Sequence, residues 1–191
     1  MALENAVIKA KQEKEAKITR KEIYKGKIIS LVADSIVHEQ GSSEKVFDIV
    51  VHPGAVVIIP IDEQGNLILV KQWRRAANKI LIELPAGTLE KEEEPIVCAM
   101  RELQEEIGYK ADEILPFGGF FTAPGFCTEY LYLFIARNLK LSQLIGEDTD
   151  EIDSLVVSLD KALEMIEKEE IVDAKTIAGI YRYEKWQKQN S

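Results

Sequence analysis

The 191-residue chain reads as an α+β protein in which helices cover a mixed β-sheet. Short β-rich runs separated by glycine, proline and asparagine recur from residue 28 to residue 158. One long amphipathic segment, opened by Pro95 and closed by Gly108, interrupts them, and two further helical patterns end the chain. There is no internal repeat. With 46% hydrophobic residues the chain can build a real core, and its length suits one domain or one domain with a small appendage.

Taken in order, residues 3–17 are rich in Ala, Glu and Lys and suit a short charged helix or a fraying end. Ile28 to Val37 is β-rich and partly alternating. Glu39 to Ser43 supplies a Gly/Ser turn and Val46 to Val51 resumes the strand pattern, which together predict a hairpin. Pro53-Gly54 breaks the chain. Ala55 to Ile61 is continuously aliphatic, the mark of a strand covered on both faces. Asp62 to Asn66 turns, Leu67 to Trp73 returns as a strand, and Leu81 to Leu84 leads into Pro85-Ala86-Gly87.

The amphipathic segment follows, with Pro95 suited to a first helical turn and Glu92 to Glu94 near its positive end. Ile96, Val97, Met100, Leu103 and Ile107 are expected to form its apolar stripe, and Gly108 to terminate it. Strands are then expected near Leu115 to Phe121, Tyr130 to Ala136 and Ser154 to Ser158. Helices are expected over about Leu159 to Glu170 and Asp173 to Gln187.

Glu102, Glu105 and Glu106 stand at i, i+3 and i+4, so a helix puts all three on one face, where like charges repel. A bound cation relieves that repulsion. All-oxygen donors of this kind suit Mg²⁺ or Mn²⁺, the cations of phosphate chemistry. The net charge of -9 argues against non-specific nucleic-acid binding and attraction to an anionic membrane, while a metal can reverse the local field for a small anionic substrate. Cys98 and Cys127 are too few for a disulfide framework, and Cys98 is read as packing. No apolar run reaches membrane-spanning length and residues 1–20 lack the apolar core of a secretory signal, so a reduced, cytoplasmic setting is expected.

Gly87, Glu93, Arg101, Glu102, Leu103, Glu105, Glu106, Gly108 and Tyr109 fill every specified position of G-x5-E-x7-R-E-U-x-E-E-x-G-U, where U is apolar. The segment is identified by this resemblance as a Nudix box. Beyond it, Val51-His52-Pro53-Gly54-Ala55-Val56, Val70-Lys71-Gln72-Trp73-Arg74-Arg75 and Ile82-Glu83-Leu84-Pro85-Ala86-Gly87 resemble the ADP-ribose pyrophosphatase subfamily. So do Asp173-Ala174-Lys175-Thr176-Ile177 and a proline, Pro124, sixteen residues after Gly108.

The resemblance implies an α/β/α sandwich with a central mixed β-sheet, plus an N-terminal β-hairpin region used in dimerisation. Residues 1–52 would be that region and 53–191 the hydrolase domain. It implies Mg²⁺-dependent hydrolysis of ADP-ribose to AMP and ribose 5-phosphate by a homodimer. The alternatives are a pyrophosphatase of GDP- or UDP-sugars, or a nucleotide-binding module without turnover.

The resemblance also assigns roles. Glu102, Glu106, Glu105 and the Ala86 carbonyl would hold the metal. Arg101 would orient the acids. Glu93 would support them, and Arg74 would hold phosphate. Glu83 would contact substrate or orient Arg74, while Arg75 reads as a surface ion pair. The base or a further metal ligand comes from the acidic loop at 147–151, with Glu151 first and Glu147 second. Phe47 and Pro124 would line the substrate site, with Phe47 either stacking on a base or packing in the hairpin. His38 and His52 lack metal-ligand spacing and read as structural. Trp73 reads as core or wall and Trp186 as packing.

Overall fold

The computed structural model describes residues 2–37, 45–146 and 152–190. Its elements are α1 (Ala2–Glu15), β1 (Lys17–Lys25), β2 (Ser30–Val37), β3 (Lys45–Val51), β4 (Ala55–Pro60), β5 (Leu67–Arg74), β6 (Lys79–Glu83) and β7 (Ala86–Thr88). They continue with α2 (Pro95–Ile107), β8 (Tyr109–Phe121), β9 (Tyr130–Leu141), β10 (Ile152–Val157), α3 (Leu159–Glu167) and α4 (Ala174–Asn190). The chain forms two compact units, Met1–Pro53 with Ala123–Glu129, and Gly54–Thr122 with Tyr130–Ser191.

The first unit is an antiparallel sheet in the order β1-β2-β3. The pairing of β2 with β3 is the expected hairpin; its turn, with His38, lies outside the described residues. β2 buries alternate residues, Val32, Asp34 and Ile36, as the two-residue period of a strand requires. β1, which the propensity pattern did not reveal, is exposed along its whole length. Its Arg20 pairs with Asp34 through Nε to Oδ1 and Nη2 to Oδ2, both at 2.7 Å. Phe47 lies opposite Asp34 on the other side and is 38% exposed. Residues 123–129 attach along β3: Val50 N–H donates to the Phe126 carbonyl at 2.7 Å and Thr128 N–H to the Val50 carbonyl at 2.9 Å. His52 N–H donates to Thr128 Oγ1, so this segment, which carries Pro124, belongs with the N-terminal strands.

The second unit has three layers. Its middle layer combines parallel and antiparallel strands, as expected, in two hydrogen-bonded parts. One is β7-β4-β9-β8, with β4 and β9 parallel, and the other is the antiparallel β10-β5-β6; a lone Ile61–Leu67 bridge joins β4 to β5. β4 is buried at every position because both faces are covered. On one face Val57, Ile59, Leu69, Leu133 and Ile135 pack with Met165 of α3 and Ile180 of α4. On the other, Val56, Ile58, Val70 and Phe134 pack with Cys98, Ala99, Leu103 and Ile107 of α2. Trp186 is partly buried against the first core, stacked on Tyr183 with the Arg137 guanidinium 4.8 Å from its ring centroid. Trp73, opposite Ile80 of β6, is 48% exposed and stands outside both cores. No described helix is long and apolar enough to cross a membrane.

The apolar stripe of α2 differs from the expected one. Pro95 opens the helix, and Gly108, in the left-handed region at φ 75°, ends it with an N–H bond to the Leu103 carbonyl. Yet Ile96, Val97 and Met100 are 40 to 47% exposed, while the buried face runs Cys98, Ala99, Leu103, Ile107. Glu102 lies between those positions and its side chain is 12% exposed. Small residues at 98 and 99 let the helix approach the sheet closely. That rotation turns the acids inward at the cost of exposing three large apolar side chains.

Candidate active site

The site is assembled where the loop after β6 meets α2. Ala86 N–H donates to Glu106 Oε2 at 3.0 Å, tying the loop to the last turn of the helix. Gly87 comes next, and a Cβ built on it would lie 1.8 Å from Glu102 Cδ. Glycine is required at this point because the carboxylate occupies the space a side chain would need.

Arg101 is the centre of the acids. Its Nε and Nη2 donate to Glu93 Oε1 and Oε2 at 3.0 and 3.1 Å, a bidentate pair. Its Nη1 reaches Glu102 Oε1 at 2.6 Å and Glu105 Oε2 at 3.2 Å. Glu93 in turn accepts the Glu90 N–H, which shapes the turn before the helix. The guanidinium holds the Glu93 carboxyl below the usual carboxylate range. Burial, opposed by Arg101, pushes Glu102 up. Glu106 is pushed to about 8, first by burial and then by the neighbouring Glu102 charge. Cys98 is fully buried beneath the cluster, and burial raises its thiol.

A second cluster surrounds Glu83, which is 1% exposed. Arg74 Nε and Nη2 donate to its Oε1 and Oε2 at 2.8 and 2.7 Å. Lys175 Nζ also donates to Oε2. Burial opposes ionisation of Glu83, but the bonds and charges of Arg74 and Lys175 outweigh it and hold the carboxyl below the usual range. Lys175 also reaches Asp173 Oδ2 at 3.0 Å. The same oxygen accepts Thr176 N–H at 3.0 Å and Thr176 Oγ1 at 2.6 Å, capping α4. Thr176 Oγ1 accepts the Leu84 N–H at 2.8 Å. Asp173, Lys175 and Thr176 had no site role in the sequence reading. Only their shared motif signalled them, since 92 residues separate Lys175 from Glu83.

Among the described residues, no three His, Cys, Asp or Glu side chains converge as a ready-made metal cage. The donor set nevertheless suits a hard divalent cation. Its acids are all oxygen donors, and burial and mutual repulsion hold two of them, Glu102 and Glu106, above the usual carboxylate range. The acidic segment 147–151, with Glu147 and Glu151, lies outside the described residues. Its flanks are described: a Cβ on Gly146 would lie 2.8 Å from Glu105 Oε2, and Ile152 pairs with Gln72, two residues before Arg74. Gln72 is buried, and its Oε1 has no hydrogen-bond partner among the described residues. Phe47 and Pro124 stand in the other compact unit.

Residues 51–179 match the NUDIX domain. The chain is 38% identical over 172 residues to the ADP-ribose pyrophosphatase of Bacillus subtilis, covering 89% of this chain and 92% of that protein. It is also 38% identical over 168 residues to the methanol dehydrogenase activator of Bacillus methanolicus, covering 87% and 90%. A solved structure described as an ADP compounds hydrolase superposes with a TM-score of 0.81, covering 92% of this chain and 96% of that one. At 18% identity it shows the same fold. On the match across two thirds of its length and on the acids gathered around Arg101, this chain belongs to the NUDIX domain family.

Proposed function

We propose that the chain hydrolyses the pyrophosphate bond of ADP-ribose to AMP and ribose 5-phosphate in the presence of Mg²⁺ or Mn²⁺. The observation that carries the reading is the buried acid pair Glu102 and Glu106, packed against Ala86 and Gly87 at elevated pKa. The similarity to the Bacillus subtilis pyrophosphatase supplies the substrate.

Glu102, Glu105, Glu106 and the Ala86 carbonyl would hold the metal, which when bound neutralises diphosphate charge and eases deprotonation of a water. Arg101 orients the acids through Glu93, Glu102 and Glu105. Arg74, fixed to Glu83, takes a phosphate oxygen. Glu151 is the base, with Glu147 second; Ile152, next to Glu151, pairs with Gln72, and Gly146, next to Glu147, adjoins Glu105. Phe47 and Pro124 are the further substrate-binding candidates that the subfamily resemblance implies.

The working form is a cytoplasmic homodimer built through residues 1–52, with 53–191 as the catalytic part. The exposed edge strand β1, with Ile18, Ile23 and Tyr24 each at least half exposed, supports this division.

The 38% identity to the methanol dehydrogenase activator favours a second reading, in which the chain acts on a partner enzyme. One assay tests the first reading. Turnover of ADP-ribose, GDP-mannose, UDP-glucose and a dinucleoside polyphosphate is measured with Mg²⁺ for wild type and Glu106→Gln. ADP-ribose should lead in kcat/KM. The variant should lose more than the roughly hundredfold typical of losing an outer-shell metal partner. A different leading sugar redirects the substrate assignment, and nucleotide binding without any turnover removes the hydrolase reading.

A further inference from the structure

Glu83 meets two cations on one buried carboxylate, and the second is supplied from another element of the fold. Alone, the bidentate Arg74–Glu83 pair would be electrically neutral and would offer an anion little net attraction. Lys175, on the same Oε2, makes the trio net positive. Asp173 contacts Lys175, but its Oδ2 is also the cap of α4, where the positive end of the helix dipole offsets its charge.

The geometry is as constraining as the charge. With Oε1 and Oε2 both engaged, Glu83 is fixed in rotation, and Arg74 is fixed by its Nε and Nη2 edge. Nη1 remains without a partner among the described residues, and the Arg74 side chain is 38% exposed. The same helical turn also holds the loop that presents Ala86: Thr176 Oγ1 takes the Leu84 N–H two residues upstream, and Ala86 N–H holds Glu106. One turn, 173–176, therefore sets both the guanidinium and the backbone beside the acid cluster.

We propose that Lys175 is a positioning residue of this site: by sharing Glu83 with Arg74 it offsets the carboxylate's charge and keeps the guanidinium aimed at the diphosphate. The inference rests on the pyrophosphatase reading above.

Lys175→Met keeps the stem and removes the charge; Lys175→Arg restores it. Full-length wild type and both variants are compared for kcat and KM on ADP-ribose with Mg²⁺. Kd for ADP-ribose is measured in EDTA by calorimetry, and Tm by thermal unfolding. Losing one charge-assisted anchor should raise KM and Kd about tenfold in Lys175→Met, with a smaller fall in kcat. Lys175→Arg should recover most of both, whatever Lys175→Met does to Tm. Wild-type KM in Lys175→Met overturns the proposal. So does a KM increase that Lys175→Arg leaves uncorrected, since that marks a packing role. Wild type failing on the whole substrate panel is a different outcome, which removes the functional reading and this inference with it.

Discussion

The two clusters of the NUDIX unit are built on opposite charge arithmetic. Around Arg101, one guanidinium serves Glu93, Glu102 and Glu105, while Glu106 accepts the Ala86 backbone N–H. Around Glu83, one carboxylate serves Arg74 and Lys175. The first has more negative charge than its partners neutralise; in the second Arg74 and Lys175 face Glu83 and Asp173, and the part-exposed guanidinium of Arg74 is the charge open to an anion. The two are within electrostatic reach, since Arg74 and Lys175 draw the Glu106 pKa down against its burial. On the proposed function, a metal-bound diphosphate would satisfy both at once. The lesson is that burial alone does not say whether a glutamate stabilises the fold; the charges delivered to it do.

The sharpest way to break this comparison is to make one chemical change on both sides. Glu83→Gln leaves Arg74 and Lys175 with a neutral acceptor in a buried place, and should cost about 3 kcal/mol of stability in chemical denaturation. Glu106→Gln removes a carboxylate that burial and Glu102 disfavour, so metal-free stability should hold or rise even as catalysis collapses. Equal losses from both variants would end the distinction.

A gentler effect is expected from pH. Glu83 is held below the ordinary carboxylate value of 4.5, so its stabilisation is complete above that value and is lost as pH falls through the folded pKa. Glu106 is raised to about 8, so between 4.5 and 8 the folded protein holds a proton the unfolded chain has released. Over that window metal-free stability should fall as pH rises. The Tm in EDTA should therefore peak on the acidic side of neutrality and decline towards pH 8. Added Mg²⁺ should restore more at pH 8 than at pH 6, because it favours the ionised acid. A Tm that climbs steadily from pH 5 to pH 8 in EDTA would count against the acid cluster as described.

Of the two clusters, only the first was legible in the sequence. Glu93, Arg101, Glu102, Glu105 and Glu106 lie within fourteen residues at helical spacing, so local geometry predicts their convergence. What that spacing hid was which way the helix turns. Ile96, Val97 and Met100 compete for the core by hydrophobicity, and the backbone of Ala86 and Gly87 decides in favour of the acids. Arg74 and Glu83 could be marked, since they stand nine residues apart on the neighbouring strands β5 and β6, but their second cation could not. Lys175 arrives from the start of the last helix, and only the tertiary fold brings it there. β1 was missed for a related reason. Its alternating lysines, arginine and glutamate carry no apolar period, because both of its faces are exposed.

The smallest predicted effect falls on the joint between the clusters. Thr176 is fully buried and bridges Asp173 Oδ2 to the Leu84 N–H. Thr176→Val keeps the shape and removes the hydroxyl. It leaves a backbone N–H without its acceptor and the helix cap with one donor fewer, a loss of about 1–3 kcal/mol. Thr176→Ser keeps the bridge and should cost less, about 1 kcal/mol for one buried methyl. If the turn only anchors α4, Thr176→Val should lower Tm with no change in KM or kcat. If it also sets the loop, the loss of the Leu84 bond should reach Ala86 and Glu106, and kcat should fall more in Thr176→Val than in Thr176→Ser. That ordering separates a helix cap that merely holds the fold from one that also holds the site.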